Sequence, residues 1–172
     1  MNETALLQSI HGLHTPFLDG LFLFSHELGT LRFSALLALV AISWHVRRGE
    51  RRAALAWLVV GLTTISVDSF VKPGFGRARP ELWPRMIEPT SFSFPSGHAL
   101  VSATLFPLFA WVTLRLRRIR FLVLGVGVPL FVGFGRLYLG VHWPTDVLAG
   151  WALGATQAFV AIRSVAAGSP KS

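Results

Sequence analysis

Apolar residues occur along this chain in five long blocks, which are separated by short polar or basic stretches. The blocks occupy residues 31–46, 53–71, 99–114, 121–135 and 147–162. Several are shorter than the roughly 20 residues of a straight membrane span, so flanking residues are expected to complete the helices. The pattern predicts an all-α protein, a polytopic bundle of transmembrane helices with five clear spans.

The segment before the first block is more polar. In the stretch TPFLDGLFLFSHELGT, apolar residues alternate at helical spacing with Asp19, His26 and Glu27. This favours an amphipathic helix at the outer interface, and a re-entrant helix or a sixth span is the alternative. No cleaved signal peptide is expected. The chain is interpreted as one domain, 1–172, with an interfacial helix at 1–29, a catalytic bundle at 30–163 and a flexible tail at 164–172.

Basic residues set the expected topology. The net charge is +8, and arginines cluster within residues 47–52 and 115–120. Two spans separate these clusters, so both face one side, which the positive-inside rule makes cytoplasmic. The loops at 72–95 and 135–146 then face outward. Because the charges lie between membrane blocks, a nucleic-acid partner is not expected, and no obligate protein partner is evident. The absence of cysteine excludes disulfides and thiolate metal sites.

Three outward stretches contain the candidate chemistry: KPGFGRARP, PSGH and GRLYLGVHWPTD. Each lies at a predicted membrane end on the same side, so a bundle can bring them together. Their polar residues of interest are Lys72, Arg79, Ser96, Gly97, His98, Arg136, His142 and Asp146.

Part of this set suits a phosphate. Lys72, Arg79 and Arg136 supply three cations, and arginine offers paired donors that match phosphate oxygens. Ser96 and Gly97 open the third span, where free backbone N–H groups and the helix dipole bind anions. The sequence therefore predicts a phosphate pocket that needs no metal.

Two histidines complete the predicted site. His142 and Asp146 are four residues apart, which places them on one face if that segment is helical. A carboxylate that accepts from one ring nitrogen leaves the other free as a nucleophile. His98 is then placed to give a proton to the leaving oxygen and to take one from water. The expected intermediate is a phosphohistidine.

The pattern K-x6-RP, then PSGH, then R-x5-H-x3-D resembles the type-2 phosphatidic acid phosphatase family, also called lipid phosphate phosphatases. This family is related to bacterial acid phosphatases and vanadium haloperoxidases. The match covers residues 72–146, and the apolar blocks fit the membrane branch. The resemblance implies phosphate binding by Lys72, Arg79, Ser96, Gly97 and Arg136, with His98 as general acid, His142 as nucleophile and Asp146 as its orienting group.

One position departs from the family pattern, because Gly135 stands where the family usually has serine before the arginine of the third motif. This removes one hydroxyl contact and no essential catalytic group. Two further residues are candidates for supporting the site. Asp68 lies one turn before Lys72 and is placed to pair with it, whereas Arg77 is a candidate for supporting the site or touching substrate.

The remaining histidines, His11, His14, His26 and His45, are expected at the membrane interface. Metal binding by His98, His142 and Asp146 is the less favoured alternative, because three cations lie nearby. No metal or cofactor is therefore expected.

The resemblance implies an integral membrane phosphatase of lipid-linked phosphates or diphosphates in a bacterial inner membrane, with its site facing the periplasm or the cell exterior. Undecaprenyl diphosphate is the favoured substrate, and phosphatidylglycerol phosphate, phosphatidic acid and lipid A 1-phosphate are alternatives. A non-catalytic phospholipid transporter, a metal-dependent hydrolase and a vanadate-loaded peroxidase are alternatives from other classes. The expected partners are the lipid substrate and membrane lipids.

Overall fold

The computed structural model describes residues 2–167, except for the side chain of Asp68. This part of the chain contains seven helices and no strand. The helices are α1 (Glu3–His11), α2 (Pro16–Leu28), α3 (Leu31–Arg47), α4 (Arg51–Phe75), α5 (Gly97–Thr113), α6 (Arg118–Tyr138) and α7 (Pro144–Ala166). The predicted all-helical membrane bundle is confirmed.

Each of the five apolar blocks coincides with one helix, from α3 to α7. Within residues 2–167, three helices are long and apolar enough to cross a membrane, namely α4, α6 and α7. A fourth candidate span forms if α2 and α3, which meet at a bend of 49°, are taken together. Helix α5 is apolar but shorter than these.

The amino-terminal segment differs from the single interfacial helix that was expected. It contains two helices, and α2 packs against α6. The ring of Phe22 contacts the rings of Phe131, Phe134 and Tyr138 on α6. At the other terminus α7 continues to Ala166, beyond the predicted start of the tail, and residues 168–172 lie outside the described part.

Helices α5 and α7 make the closest packing in the bundle, and two glycines explain why. A Cβ on Gly150 would lie 2.6 Å from the Ser96 carbonyl oxygen. A Cβ on Gly154 would collide with the Leu100 carbonyl oxygen. Glycines four residues apart let membrane helices approach closely. This contact fixes the start of α5 against the start of α7, which is where the polar motifs lie.

The two arginine clusters share one end of the bundle, as the sequence predicted. A cavity there is lined by Arg51, Arg52, Arg115 and Arg117, and Arg115 donates a 2.8 Å hydrogen bond to Glu50. Lys72 lies 21 residues along α4 from Arg51, which corresponds to about 30 Å of helix. The basic end and the polar motifs therefore lie at opposite ends of α4.

Candidate active site

A cavity of about 340 Å³ lies at the end of the bundle opposite the arginine clusters. Six of the eight predicted site residues line it: Lys72, Arg79, Gly97, His98, Arg136 and His142. The other two, Ser96 and Asp146, are fully buried and joined to each other, because the Ser96 backbone N–H donates a 3.0 Å hydrogen bond to the Asp146 carbonyl oxygen. The three motifs thus meet at one place.

His142 and Asp146 come together in a different way from the one predicted. His142 lies in the loop before α7, so the two residues do not share a helical face. Asp146 lies in the first turn of α7, and its Oδ2 accepts a 2.8 Å hydrogen bond from the Trp143 backbone N–H. The folded-back carboxylate leaves Oδ2 3.4 Å from His142 Nδ1. Helix capping therefore positions the carboxylate beside the ring.

Ser93 is a site residue that the sequence analysis missed. Its side chain is fully buried, donates a hydrogen bond to Oδ2 of Asp146 and lies 3.5 Å from Nδ1 of His142. The hydroxyl therefore links the two members of the pair. Only its proximity to the PSGH motif in the chain could have marked it, since nothing in the residue type identifies a buried serine as functional.

The other ring nitrogen of His142 faces the cations. Arg79 Nη1 donates a 3.0 Å hydrogen bond to His142 Nε2 and a 2.7 Å bond to the Val141 carbonyl oxygen. Burial, and then the positive charge of Arg79, lowers the pKa of His142 to about 4, although Asp146 opposes the shift. The ring is therefore neutral at pH 7, with the Nε2 lone pair available on the cavity side.

Lys72 and Arg79 are anchored to one segment of the loop between α4 and α5. Lys72 Nζ donates to Ser91 Oγ at 3.2 Å. Arg79 donates to the backbone oxygens of Ser91 and Phe92 at 2.8 and 3.1 Å. These bonds hold two cations of the first motif beside the third motif, as the phosphate-pocket interpretation requires.

Arg136 is 1% exposed, so its charge lies deep in the protein. Its Nη1 donates a 2.8 Å hydrogen bond to His26 Nδ1, whereas its Nε and Nη2 have no hydrogen-bond partner within the described residues. The same is true of Nε2 of His98 and Oγ of Ser96. Buried donors of this kind are costly unless something binds them.

His26 and His45, two of the four histidines expected at the membrane interface, contact other side chains within the bundle. His26 lines the cavity, and its ring stacks on that of His98. His45 is 1% exposed and contacts Glu50 and Thr113 at the opposite end of the bundle. The sequence could not separate these cases, because each histidine lies in a helix whose packing was not yet known.

Arg77 supports the site through Asp146. Its Nη1 donates to Oδ1 of Asp146 at 2.6 Å, and its Nη2 donates to Oε2 of Glu3 at 2.8 Å. Oε1 of Glu3 accepts from the backbone N–H of Thr145 at 2.9 Å. Burial alone would raise the pKa of Glu3, but hydrogen bonds from Thr145 and Arg77 lower it below its ordinary value. The side chain of Asp68, the other predicted supporting residue, lies outside the described part.

Over residues 2–167, with the Asp68 side chain excepted, no group of three or more His, Cys, Asp or Glu side chains is arranged to hold a metal ion. The polar groups that meet at the cavity are instead three cations and two catalytic-type histidines, of which one is paired with a carboxylate. A helical membrane bundle that carries this arrangement has the features of a membrane phosphatase.

The family model of the PAP2 superfamily matches residues 52–169, so the chain belongs to this family. The family predicted from the three motifs is confirmed, and so, at the level of the family, is the enzyme class, a hydrolase of phosphate esters of lipids.

Two relatives and one solved structure show the similarity in more detail. The undecaprenyl-diphosphatase of Sulfolobus acidocaldarius is 40% identical over 85 residues, which are 49% of this chain and 39% of that protein. Phosphatidylglycerophosphatase B of Bacillus subtilis is 29% identical over 150 residues, which are 83% of this chain and 72% of that protein. The crystal structure of a transmembrane PAP2-type phosphatidylglycerolphosphate phosphatase from Bacillus subtilis superposes with a TM-score of 0.84 at 26% identity. It covers 99% of this chain and 87% of that one.

Proposed function

We propose that this protein hydrolyses a lipid-linked phosphate or diphosphate, with undecaprenyl diphosphate as the favoured substrate. The observation that carries the proposal is the cavity at which His98, His142 and three cations meet. Its volume of about 340 Å³ falls in the range of small-molecule sites. An undecaprenyl-diphosphatase and a phosphatidylglycerophosphatase among the relatives support a lipid phosphate as substrate.

The cavity wall also supports a lipid. Apolar residues from the ends of α3, α4 and α5 line its other side: Leu31, Ile65, Val67, Leu100 and Val101. Leu31 and Ile65 are exposed on the bundle surface, which places them against lipid. A headgroup can thus enter the charged part while the acyl or prenyl tail remains among apolar side chains and the bilayer.

In the proposed mechanism the phosphate binds between Arg136, Arg79 and Lys72. The unpartnered donors of Arg136 bind phosphate oxygens, and Arg79 transfers its Nη1 bond from the His142 ring to the phosphate. When the phosphate binds, the lone pair of His142 Nε2 thereby becomes available to attack phosphorus. Cations that surround the transferring group stabilise its charge in the transition state.

The covalent step uses the two histidines. Nε2 of His142 forms a bond to phosphorus while the bond from phosphorus to the leaving oxygen breaks, and His98 gives that oxygen a proton. Asp146 and Ser93 hold the opposite side of the His142 ring. Water then attacks phosphorus and gives a proton to His98. The N–P bond breaks, and inorganic phosphate leaves with both rings restored.

Phosphate release from purified protein tests this proposal. The panel contains undecaprenyl diphosphate, phosphatidylglycerol phosphate, phosphatidic acid and lipid A 1-phosphate, and the highest kcat/KM is expected for undecaprenyl diphosphate. His142→Ala should reduce release to less than about one thousandth, and His98→Ala should lower kcat by about 10²- to 10⁴-fold. Wild-type turnover in both variants would refute the mechanism.

The same assay separates the alternative classes. A phospholipid transporter would release no phosphate, and its binding would not depend on the nucleophilicity of His142. A metal-dependent hydrolase would lose activity after chelation, whereas we expect full activity in excess EDTA. A peroxidase would oxidise halide when loaded with vanadate, whereas we expect vanadate only to inhibit. The site is proposed to open on the outer face of a bacterial inner membrane.

A further inference from the structure

A third histidine, His26 of α2, contacts two residues of the proposed site. Its Nδ1 accepts the 2.8 Å hydrogen bond from Nη1 of Arg136. Its ring stacks on that of His98, with the ring centroids 4.6 Å apart and the planes inclined by 18°. One side chain thus touches both a cation of the phosphate pocket and the proton donor.

The hydrogen bond to His26 governs how Arg136 is oriented. The guanidinium is planar, so a fixed Nη1 also fixes the directions of Nε and Nη2. Those two groups are buried and have no partner among the described residues, although Arg136 lines the cavity. A neutral imidazole nitrogen is an acceptor that holds the cation without neutralising it, whereas a carboxylate would compete with phosphate for its charge.

The stack similarly restrains His98. The ring of His98 also lies against Gly29, where a Cβ would come within 2.6 Å of His98 Cδ2 and 2.8 Å of His98 Cβ. Helix α2 therefore contacts the proton donor through the His26 ring, and the residue after α2 contacts it through a backbone without a side chain. These contacts leave the His98 ring little freedom to turn away from the cavity.

The departure from the family motif lies where α2 packs against α6. A Cβ on Gly135 would collide with Oγ of Ser25 and lie 3.3 Å from Cδ1 of Phe22, both on α2. The serine that the resemblance expects at this position would therefore crowd the contact of Ser25 and Phe22 with α6, within one turn of His26. Gly135 and His26 therefore take part in the same contact between α2 and α6, beside Arg136.

From these contacts we propose that His26 is a positioning residue of the phosphatase site. Its Nδ1 lone pair aims Arg136 at the phosphate, and its ring holds His98 in place to protonate the leaving oxygen. His26 itself forms no covalent bond and transfers no proton. The inference rests on the proposed function, because it says which residue holds Arg136 and His98 in position for that chemistry.

Two substitutions separate the two contacts. His26→Phe keeps a ring for His98 but offers no acceptor to Arg136, so we expect the inhibition constant of inorganic phosphate to rise at least about tenfold with a smaller change in kcat. His26→Asn keeps an acceptor near the position of Nδ1 but has no ring. It should lower kcat severalfold while the inhibition constant stays close to that of the wild type.

Controls distinguish positioning from general stability. His11→Phe makes the same chemical change in a histidine outside the cavity and keeps a ring against Trp83, so both constants should remain at wild-type values. In an Arg136→Lys background, which lacks Nη1, His26→Phe should cause no further loss of phosphate affinity. If His26→Phe does not fold, Gly135→Ser replaces it, because displacing α2 should weaken phosphate inhibition in the same way.

The inference is overturned if both His26 variants change kcat and phosphate affinity alike, if the loss is additive with Arg136→Lys, or if phosphate inhibition is unchanged in His26→Phe or Gly135→Ser. Failure of the proposed function gives a different result. In that case the wild-type protein releases no phosphate from any lipid in the panel.

Discussion

His142 presents its two ring nitrogens to different partners. Nε2 faces an arginine that can only donate, whereas Nδ1 faces Asp146. A neutral imidazole has one N–H, so these contacts assign the proton to Nδ1 and the lone pair to Nε2. The nitrogen that we propose as the nucleophile is therefore the one on the cavity side.

The buried neutral state of His142 predicts a pH-dependent stability. Burial lowers its pKa from 6.5 to about 4, so the linked stabilisation is present above pH 6.5 and is lost as the pH falls through about 4. The difference corresponds to on the order of 3 kcal/mol in the free energy of unfolding. We expect the melting temperature of the wild type to fall more steeply between pH 6.5 and 4 than that of His142→Asn. If the melting temperatures of the two proteins in detergent fall equally over this pH range, the prediction is contradicted.

Arg77 is predicted to act through Asp146 rather than on the substrate. Arg77→Gln removes a charged hydrogen bond to that carboxylate, and we expect kcat to fall about tenfold with KM nearly unchanged. Arg85→Gln, in the same loop, is the matched control and should keep wild-type kinetics, because Arg85 bonds to the Pro80 carbonyl oxygen. A raised KM at constant kcat would instead make Arg77 a substrate contact.

Sequence motifs predicted most of the polar residues at the cavity and two residues that support them, Asp146 and Arg77, but not His26 or Ser93. Lys72, His98 and Arg136 are recognisable because cations and a histidine at fixed spacing imply phosphate chemistry. His26 and Ser93 act through contacts made by a separate helix and a loop, and such contacts depend on packing that no local pattern encodes. The one indication in the sequence was Gly135, which departs from the family motif at the place where α2 packs against α6.

Helix α4 approaches the site through an irregular turn. Residues Val67–Val71 form a widened π-helical turn immediately before Lys72. Such turns are frequent at functional sites, because an inserted residue changes the face on which the following side chains lie. Regular helical periodicity alone would thus have misjudged the direction of Lys72, although its place at the end of the span was predictable.

The close contact between α5 and α7 should be sensitive to a single methyl group. Gly154→Ala places a Cβ against the Leu100 carbonyl oxygen and 2.8 Å from Cβ of Ala103. We expect it to lower the free energy of unfolding by about 1–3 kcal/mol. Gly61→Ala is the control, because a Cβ there has no neighbour within 4 Å. Reversible unfolding in mixed detergents measures both variants, and equal stabilities would argue against tight packing at Gly154.

The predicted blocks located helices α3 to α7 because apolar length is a strong local signal. The arrangement of α1 and α2 was not predictable in this way. Their positions depend on long-range contacts, such as the stacking of His11 on Trp83 and the ion pair between Glu3 and Arg77. The bend between α2 and α3 falls at Gly29 and Thr30, shortly after His26 and Glu27. This short polar break does not by itself distinguish one bent span from two separate helices.

The bundle as a whole has an arginine-rich end and an end with the proposed active site, which lie at opposite ends of α4. A chain without cysteine makes its orientation measurable with single substitutions. We expect a membrane-impermeant maleimide to label Glu81→Cys in intact spheroplasts, and to label Arg117→Cys only after permeabilisation. The reverse pattern would place the proposed active site in the cytoplasm.

Glu3 has a practical consequence for work on this protein. Through Arg77 it reaches the carboxylate beside the nucleophile, and it also caps α7 at Thr145. A substitution or fusion that pulls Glu3 away from Arg77 is therefore expected to slow turnover without unfolding the bundle.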